Sequence, residues 1–489
     1  MKQAILDKYE LTIGIECHVQ LATQTKLFSP ADNDARDKEP NEATHPIDFG
    51  LPGMLPVLNR HAVDLAIRAG KALHSPIARV SRFDRKHYFY PDLPKGYQTT
   101  QMYHPIILEG YVDAPLEDGS IKRVRVEHAH MEEDAGKLSH YDGYSLVDLN
   151  RAGTPLIEIV SMPDMHSAEE ARAYAEELHR LMTYAGVTYG DLYQGNMRFD
   201  VNISIAPKGS QELGKRAEVK NLNSFRSVEK AVEYEYSRQA ELLEKGERVV
   251  QETRGWVDDK QITTSQRSKE DAQDYRYMPD ADIPPIVLTD EEISRIQDEV
   301  PMLPAEYRQQ WDVLHLDRSV VNSLLSNQNY ARIVTEIQQK ANNDAARRAA
   351  HWFASALTAA GSGDDTDTTP VDVSAPYVST DDLIELATMV EKNELSSTNA
   401  KEIFADLLAG KTSPRRIAQE QNLLQVSDTS AIAAIVDEVL QDPTSVASIA
   451  DIKAGKDKAI GYLVGQVMKR SQGKANPALA QKLIRERLN

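Results

Sequence analysis

Hydrophobic and polar residues alternate without interruption through the segment Glu10–Leu21, ELTIGIECHVQL. One parity carries Leu, Ile, Cys and Val, and the other carries Thr, Gly, Glu, His and Gln. A period of two is typical of a β-strand with one buried and one open face. We therefore predict a strand that directs Cys17 into the core and presents Glu16 and His18 on its open face.

A second alternating segment, Met197–Ile205, predicts another strand with Arg198 and Asp200 on its polar face. This pattern fits the wall of a polar cavity or a solvent-exposed outer face, and it leaves both open. Ser167 and Glu170 have the spacing of a helix-capping box. Apolar residues at helical spacing predict helices over Arg60–His74, Ser167–Ala185 and Val228–Lys245.

From about residue 289 onward the apolar period becomes almost entirely helical. Gly361–Pro376 is rich in Gly, Asp, Thr and Pro, which predicts a surface loop, and Lys411–Pro414 marks a further break. We therefore expect an α+β fold. It comprises a mixed α/β domain over residues 1–290, an all-α domain over 291–411 and a small all-α domain over 412–489.

The composition is that of an ordinary globular protein, with 41% hydrophobic and 27% charged residues in 489. A single cysteine excludes an internal disulfide framework and a cysteine-rich zinc cluster. No apolar run approaches the ~20 residues that span a membrane, and the N-terminal residues lack the features of a signal peptide. We expect a cytoplasmic protein.

Charge is distributed unevenly along the chain. The formal net charge of −19 argues against coating of nucleic acid by bulk charge. Residues 451–489, however, carry nine lysines and arginines against three acidic residues. This basic segment fits a nucleic-acid contact at one end of the protein or a solvated helical surface, and charge alone leaves both open.

Two segments combine histidines with carboxylates. Glu16 and His18 lie on the same strand face with Cβ atoms roughly 7 Å apart, which suits a divalent-metal site or a solvated strand face. In HAHMEEDAGK, His128–Lys137, two histidines of one parity precede three acidic residues. Neighbouring carboxylates repel by about 1–4 kcal/mol per close pair, so this cluster favours a bound cation or a solvated turn.

Other candidate chemistries are weaker. Glu158 lies between isoleucines in an apolar strand and needs a partner, because an unpaired buried charge is costly. GSQELGKR, residues 209–216, nearly matches a P-loop, but Arg216 replaces the Ser or Thr that binds magnesium, so we interpret the match as chance. Cys17 is predicted to be buried, and buried thiols are inert. The chain therefore has no amide-hydrolysing group of its own.

Several long segments resemble one family from end to end. The sequence closely resembles the GatB family, the B subunits of the tRNA-dependent amidotransferases. The segments that carry the resemblance are IGIECHVQL (13–21), FDRKHYFYPDLPKGYQ (83–98), HMEEDAGK (130–137), VDLNRAGTPLIEIV (147–160), KNLNSF (220–225), QETR (251–254), DYRYMPDADIPP (274–285) and GYLVGQVMKRSQGKANP (461–477).

The resemblance implies a cradle domain, a helical domain and a tail domain that binds tRNA. It also implies that ATP and Mg²⁺ are used to phosphorylate the side-chain carboxylate of Asp-tRNA(Asn) or Glu-tRNA(Gln). Ammonia made from glutamine by an amidase-type glutaminase subunit would then convert the activated group to an amide. A small third subunit would hold the complex together.

The resemblance also implies roles for individual residues. It places metal ligands at Glu16, His18, Glu133 and Glu158, of which Glu133 and Glu158 act in catalysis together with Lys86. Three carboxylates suit Mg²⁺, whereas His18 is a less typical ligand and would act through water or favour Mn²⁺. Contacts to the nucleotide are expected from Lys220, Arg198, Asn221 and Tyr88, with the mouth of the ammonia channel as the alternative for Lys220 and Arg198.

Two further expectations concern a pair of tyrosines and structural zinc. Tyr88 and Tyr90 would stack on an adenine ring or belong to the core. Some relatives carry a zinc-binding cysteine cluster near residues 30–45, and because Cys17 is the single cysteine here, we expect no structural zinc. The rival functions are a tRNA-binding scaffold that lines an ammonia passage and a stand-alone metal-dependent phosphohydrolase.

Overall fold

The computed structural model describes residues 7–268, 274–360, 378–425, 429–453, 456–471 and 475–488. The chain divides into two compact units, the first ending at Glu306 and the second beginning at Tyr307. Within the described ranges, no helix has the length and apolar character needed to cross a membrane.

The first unit contains all of the named strands. In chain order they are β1 (Tyr9–Gln20), β2 (Val80–Ser81), β3 (Asp84–His87), β4 (Tyr97–Thr100), β5 (Gly110–Pro115), β6 (Ile121–Glu133), β7 (Lys137–Tyr141), β8 (Tyr144–Asp148), β9 (Pro155–Ser161), β10 (Met197–Pro207), β11 (Ala217–Leu222), β12 (Glu252–Val257), β13 (Ile262–Ser268), β14 (Met278–Pro279) and β15 (Ile286–Val287). Its helices are α1 (Arg60–Ala72), α2 (Ala168–Tyr184), α3 (Phe225–Glu244) and α4 (Asp290–Asp298).

Eight of these strands form one sheet in the order β13-β12-β11-β10-β1-β9-β6-β5. Neighbouring strands are antiparallel except β11 and β12, which run parallel. A three-stranded sheet, β14-β3-β4, and the pairs β15-β2 and β7-β8 complete the strand pairing of the described residues. The predicted strand β1 thus lies near the centre of the main sheet.

Burial along β1 alternates as the sequence predicts. Ile13, Cys17 and Val19 are fully buried, whereas Glu16 and His18 on the other parity are partly exposed. Helix α2 lies on the apolar face, where Tyr174 comes close to the Cys17 thiol, and α3 packs on α2 and β10. The helices therefore cover one face of the sheet and leave the face that carries His18 for other contacts.

The predicted helices are present with ends shifted by a few residues. Ser167 caps α2 by accepting a hydrogen bond from the Glu170 amide at 3.1 Å. The Glu170 carboxylate accepts instead from the amide of His166 at 2.7 Å, so half of the expected capping box forms.

From Pro304 onward the described chain is helical, which confirms the α+β class. The helices are α5 (Pro304–Trp311), α6 (Arg318–Leu325), α7 (Gln328–Lys340), α8 (Asn343–Ala360), α9 (Thr380–Glu391), α10 (Ser397–Leu408), α11 (Pro414–Glu420), α12 (Thr429–Gln441), α13 (Val446–Lys453), α14 (Ile460–Arg470) and α15 (Pro477–Leu488). The loop expected over Gly361–Pro376 lies outside the described residues.

The last helices bury a cluster of their own that extends from Ile432 to Ile484. Helix α11 packs instead on α9 and α10, and the Gln425 amide donates to the Glu394 carbonyl at 2.8 Å. The three-domain division at 290/291 and 411/412 stays a prediction.

Candidate active site

Strand register brings chemically active side chains from four strands into one row across the main sheet. His18 of β1 is paired with Arg198 of β10 on one side and with Glu158 of β9 on the other. Glu158 is in turn paired with His130 of β6. Because paired residues on neighbouring strands share a face, these side chains project from the side of the sheet opposite α2.

His18, His130, Glu132 and Glu158 form a compact group, which we call the acid–histidine cluster. The Nε2 atom of His18 lies 3.6 Å from Glu132 Oε1 and 3.8 Å from Glu158 Oε2. The Nε2 atom of His130 lies 3.3 Å from Glu158 Oε2 and 3.7 Å from Glu132 Oε2. Ligand atoms of His18, Glu132 and Glu158 are all within 4.8 Å of one another, so one cation fits between them.

The cluster is balanced electrostatically by its histidines. Burial disfavours a charge on His130, but the nearby carboxylates of Glu132 and Glu158 prevail and raise its pKa to about 9. Burial likewise opposes the charge on Glu158, yet His130, His18 and Lys86 lower the pKa of its carboxyl group. Since metals bind neutral imidazole, a divalent cation would replace the proton as the positive partner of the two carboxylates.

Glu133, the predicted ligand, does not join the cluster. Successive residues of a strand point to opposite faces, so Glu132 is directed to the cluster and Glu133 away from it. The Glu133 carboxylate contacts the ammonium of Lys95 and accepts a hydrogen bond from the Thr99 amide at 2.9 Å. The solvated turn considered for these acids is wrong, because Glu132 and Glu133 end β6 and are only 4% and 3% exposed.

Glu16 lies beside the acid–histidine cluster but is not one of the three residues whose ligand atoms are within 4.8 Å of one another. Its Oε1 accepts a hydrogen bond from Asn202 Nδ2 at 3.0 Å. Burial and the nearby carboxylates of Glu158 and Glu218 raise the pKa of Glu16. On β10, the opposing residues Asp200 and Asn202 are buried or half-buried, which favours the cavity wall over the exposed face considered for this strand.

The predicted cationic residues lie around the cluster in two different states. Lys220 and Arg198 are held in ion pairs, Lys220 with Asp200 at 2.5 Å and Arg198 with Asp134 at 3.1 Å. Lys86 makes no salt bridge within the described chain. Its ammonium lies 5.0 Å from the ring centre of Tyr275, and its charge acts on Glu158.

The three-stranded sheet that contains β3 places aromatic rings near the same cluster. Tyr88 is half-buried; burial, followed by the charge of Asp92, raises its pKa. Tyr275 lies 6.2 Å from Tyr88 between ring centroids. The pKa of Tyr277 rises to about 12 because of burial and the neighbouring Tyr275 and Glu158. The side chain of Asn221 lies outside the described part of the chain.

Sequence reasoning included His130 and Glu132 in a segment that favours a cation but took Glu133 as the ligand, and it did not assign Tyr277 to this site. For the first two the signal was present, since His128, His130 and Glu132 continue one strand parity. For Tyr277 there was none, because its position depends on pairing between β14 and β3, which are far apart in the chain.

Comparison with known proteins identifies the family. Residues 11–294 match the model of the GatB/GatE catalytic domain, and residues 333–488 match that of the GatB domain. The chain belongs to the GatB/GatE family. Every residue of the acid–histidine cluster lies within the catalytic-domain match.

Full-length relatives agree with this membership. The chain is 44% identical over 491 residues to the B subunit of the aspartyl/glutamyl-tRNA(Asn/Gln) amidotransferase of Halorhodospira halophila, covering 99% of each chain. Proteins of the same name from a Synechococcus strain and from Caldicellulosiruptor saccharolyticus are each 42% identical, and 98% and 99% of their lengths are covered. For the Synechococcus and Caldicellulosiruptor proteins, respectively, the matches cover 99% and 98% of this chain. The resemblance and the predicted enzyme class, an amidotransferase among the ligases, are confirmed.

Proposed function

We propose that this chain activates the side-chain carboxylate of Asp-tRNA(Asn) or Glu-tRNA(Gln) with ATP and then converts it to an amide. A carboxylate oxygen attacks the γ-phosphorus, the β–γ bridging bond breaks, and ADP leaves with the electron pair. Ammonia then attacks the acyl carbon, phosphate leaves, and nitrogen loses a proton to solvent. The names of the relatives, which specify these tRNAs and an amidotransferase, support this substrate class.

The acid–histidine cluster is the observation that carries the proposal. His18, Glu132 and Glu158 would hold a divalent cation, with Glu16 reaching it through water. A bound Mg²⁺ supplies charge neutralisation and in-line orientation of the triphosphate. A histidine among the ligands also suits Mn²⁺. The cluster lies on rigid neighbouring strands, which keeps its ligand atoms in place during the reaction.

Lys86 is the cation best placed to contact the transferred phosphoryl group. Its ammonium forms no salt bridge with described residues and acts on the same carboxylate as the two histidines. Phosphoryl transfer depends on positioning and charge stabilisation rather than on proton transfer, which is the contribution of such a side chain. Arg198 and Lys220 orient the pocket through their carboxylate partners.

We infer that ammonia comes from another protein. Cys17, the single cysteine, is fully buried, and burial raises the pKa of its thiol, so it does not act as a nucleophile. An amidase-type glutaminase subunit would produce ammonia, and a small third subunit would join the complex. The relatives are named as B subunits of a larger enzyme, which supports such partners. We place the complex in the cytoplasm.

The C-terminal helices would hold the body of the tRNA. Residues 451–489 carry the nine lysines and arginines noted above on an otherwise acidic chain. Helices α12, α14 and α15 bury a shared apolar cluster, which leaves their charged side chains at the surface. Basic surfaces bind RNA mainly through its phosphates and shape.

Glu132→Gln in the reconstituted complex tests the proposal. With ATP, Asp-tRNA and glutamine, we expect loss of ADP formation and of amidation while glutamine hydrolysis persists. Glu10→Gln is the matched control, since this exposed carboxylate lies on β1 away from the cluster. Unchanged ADP formation in the Glu132 variant would contradict the proposal and favour a scaffold.

A further inference from the structure

The ammonium of Lys86 is held by an aromatic ring rather than by a carboxylate. Its Nζ atom lies over the ring of Tyr275, 5.0 Å from the ring centre. It forms no salt bridge with the residues that the structure describes, although its charge acts on Glu158. The Glu158 carboxylate is already approached by His130 at 3.3 Å and by His18 at 3.8 Å. Lys86 therefore brings a positive charge to the edge of the acid–histidine cluster that no described carboxylate contacts directly.

The contact with the ring leaves Lys86 in a different state from a salt bridge. A cation above an aromatic ring is attracted by the negative face of the π-system. This attraction orients the ammonium, but it does not neutralise its charge and it leaves N–H groups available to an incoming oxygen atom. A group that stabilises the charge of a transferred phosphoryl needs both properties. Without the ring, the nearby carboxylates would draw the ammonium into an ion pair.

Two further tyrosines fix the orientation of the Tyr275 ring. The ring centre of Tyr88 lies 6.2 Å from that of Tyr275, with 72° between the planes. The ring centre of Tyr277 lies 6.0 Å away, with 69° between the planes. Both are the edge-to-face arrangement that aromatic pairs prefer. All three tyrosines are partly buried, so their packing keeps the face of Tyr275 toward Lys86.

The segment that carries Tyr275 is fastened to β3, the strand that carries Lys86. The backbone amide of His87 donates to the carbonyl oxygen of Tyr275 at 2.8 Å. Arg85 donates to both oxygens of the buried Asp280 carboxylate, at 2.9 and 3.2 Å. Because Arg85 and Lys86 are consecutive on a strand, their side chains point to opposite faces. The Arg85 ion pair therefore holds the segment on one face of β3 while the tyrosine ring meets Lys86 on the other.

We propose that Tyr275 is a positioning residue for phosphoryl transfer, whose ring holds the Lys86 ammonium apart from the carboxylates of the cluster and available to the transferred group. The inference rests on the proposed function, because it takes Lys86 to stabilise that group. Tyr275 acts through Lys86 and does not itself contact the substrate. Its hydroxyl group takes no part, since the attraction comes from the face of the ring.

Substitutions of Tyr275 in the reconstituted complex test this inference. At saturating ATP and Asp-tRNA, Tyr275→Leu should lower the rate constant of ADP formation about tenfold, which corresponds to the loss of one partly buried cation–π contact. Tyr275→Phe keeps the ring and should stay within about twofold of wild type. In both variants the KM for Asp-tRNA should also stay within about twofold. Tyr189→Leu is the matched control, since it removes a ring 6.0 Å from the Arg36 guanidinium in the loop after α2.

A double-mutant cycle with Lys86→Met separates positioning from a general structural role. If the ring acts through Lys86, Tyr275→Leu should change the rate constant by less than about twofold once the lysine is absent. A purely structural role would instead lower the rate by the same factor in both backgrounds. Stabilisation by Mn²⁺, measured by urea unfolding, should persist in Tyr275→Leu because the acid–histidine cluster keeps all of its residues.

The outcomes separate this inference from the proposed function. If the wild-type complex forms no ADP with Asp-tRNA or Glu-tRNA, the proposed function fails and the inference falls with it. If the wild type forms ADP but Tyr275→Leu matches Tyr189→Leu, or is equally harmful with and without Lys86, the function stands and the positioning role is overturned. A Tyr275→Phe variant as slow as Tyr275→Leu would also overturn it, by assigning the role to the hydroxyl group. So would a raised KM for Asp-tRNA with an unchanged rate constant, by assigning the ring to the RNA.

Discussion

Strand parity makes opposite predictions for the neighbouring residues Glu132 and Glu133. Glu132→Gln removes a carboxylate from the candidate metal site, whereas Glu133→Gln removes the charge that faces Lys95. We therefore expect Glu132→Gln to abolish stabilisation by metal. We expect Glu133→Gln to destabilise the protein while preserving its response to metal.

The magnitudes follow from burial and charge. Breaking a buried ion pair costs about 3–5 kcal/mol, and because glutamine still accepts the Thr99 hydrogen bond, the lower end applies to Glu133→Gln. Glu132 lies near both Glu158 and the protonated His130, so removing its charge relieves one repulsion and removes one attraction. A cation at 100 times its dissociation constant stabilises a protein by ~2.7 kcal/mol, which Glu132→Gln should forfeit.

Urea unfolding with and without Mn²⁺ measures both effects, through the free energy of the first unfolding transition. Each variant is compared with wild type and with Glu10→Gln at the same metal concentration. The reasoning would be refuted if Glu133→Gln lost the metal-dependent shift and Glu132→Gln retained it.

Three further predictions concern other parts of the chain. Lys86→Met should lower the rate constant of ADP formation roughly 100-fold, which is the usual effect of removing one group that stabilises charge in a transition state. Lys86→Arg should restore part of that rate. A chain ending at Gln425 should raise the KM for tRNA more than it lowers kcat, and an unchanged KM would refute the tail's role. Burial opposes the charge of Glu235, but Arg238 and Arg254 lower its pKa. The contribution of the Glu235 charge to stability is therefore present above its ordinary pKa of ~4.3 and is lost as the pH falls further. Wild type and Glu235→Gln should consequently converge in stability in acid.

The sequence predicted those parts of the site that depend on local pattern. Alternation placed Glu16 and His18 on the polar face of β1 and Cys17 in the core, and the structure agrees. The three adjacent carboxylates after His130 resemble a solvated turn, so the sequence left that alternative open for them. Burial next to two histidines and Lys95 lets the strand continue through Glu133 instead.

Features that depend on contacts between residues far apart in the chain could not be predicted from the local sequence pattern. Nothing in the segment 208–216 indicates that its loop folds back beside β1, since that position depends on the approach of Gly214 to Ile205. The position of Tyr277 at the site depends likewise on the pairing of β14 with β3. Sequence spacing carries no information on such contacts until the fold is known.

The most direct test of the central claim follows the oxygen atoms of the substrate. Asp-tRNA whose side-chain carboxylate carries ¹⁸O is incubated with the complete complex, ATP and glutamine, and the released phosphate is examined by mass spectrometry. Activation through an acyl phosphate transfers one labelled oxygen to each phosphate molecule. Unlabelled phosphate formed alongside the amide would contradict the account.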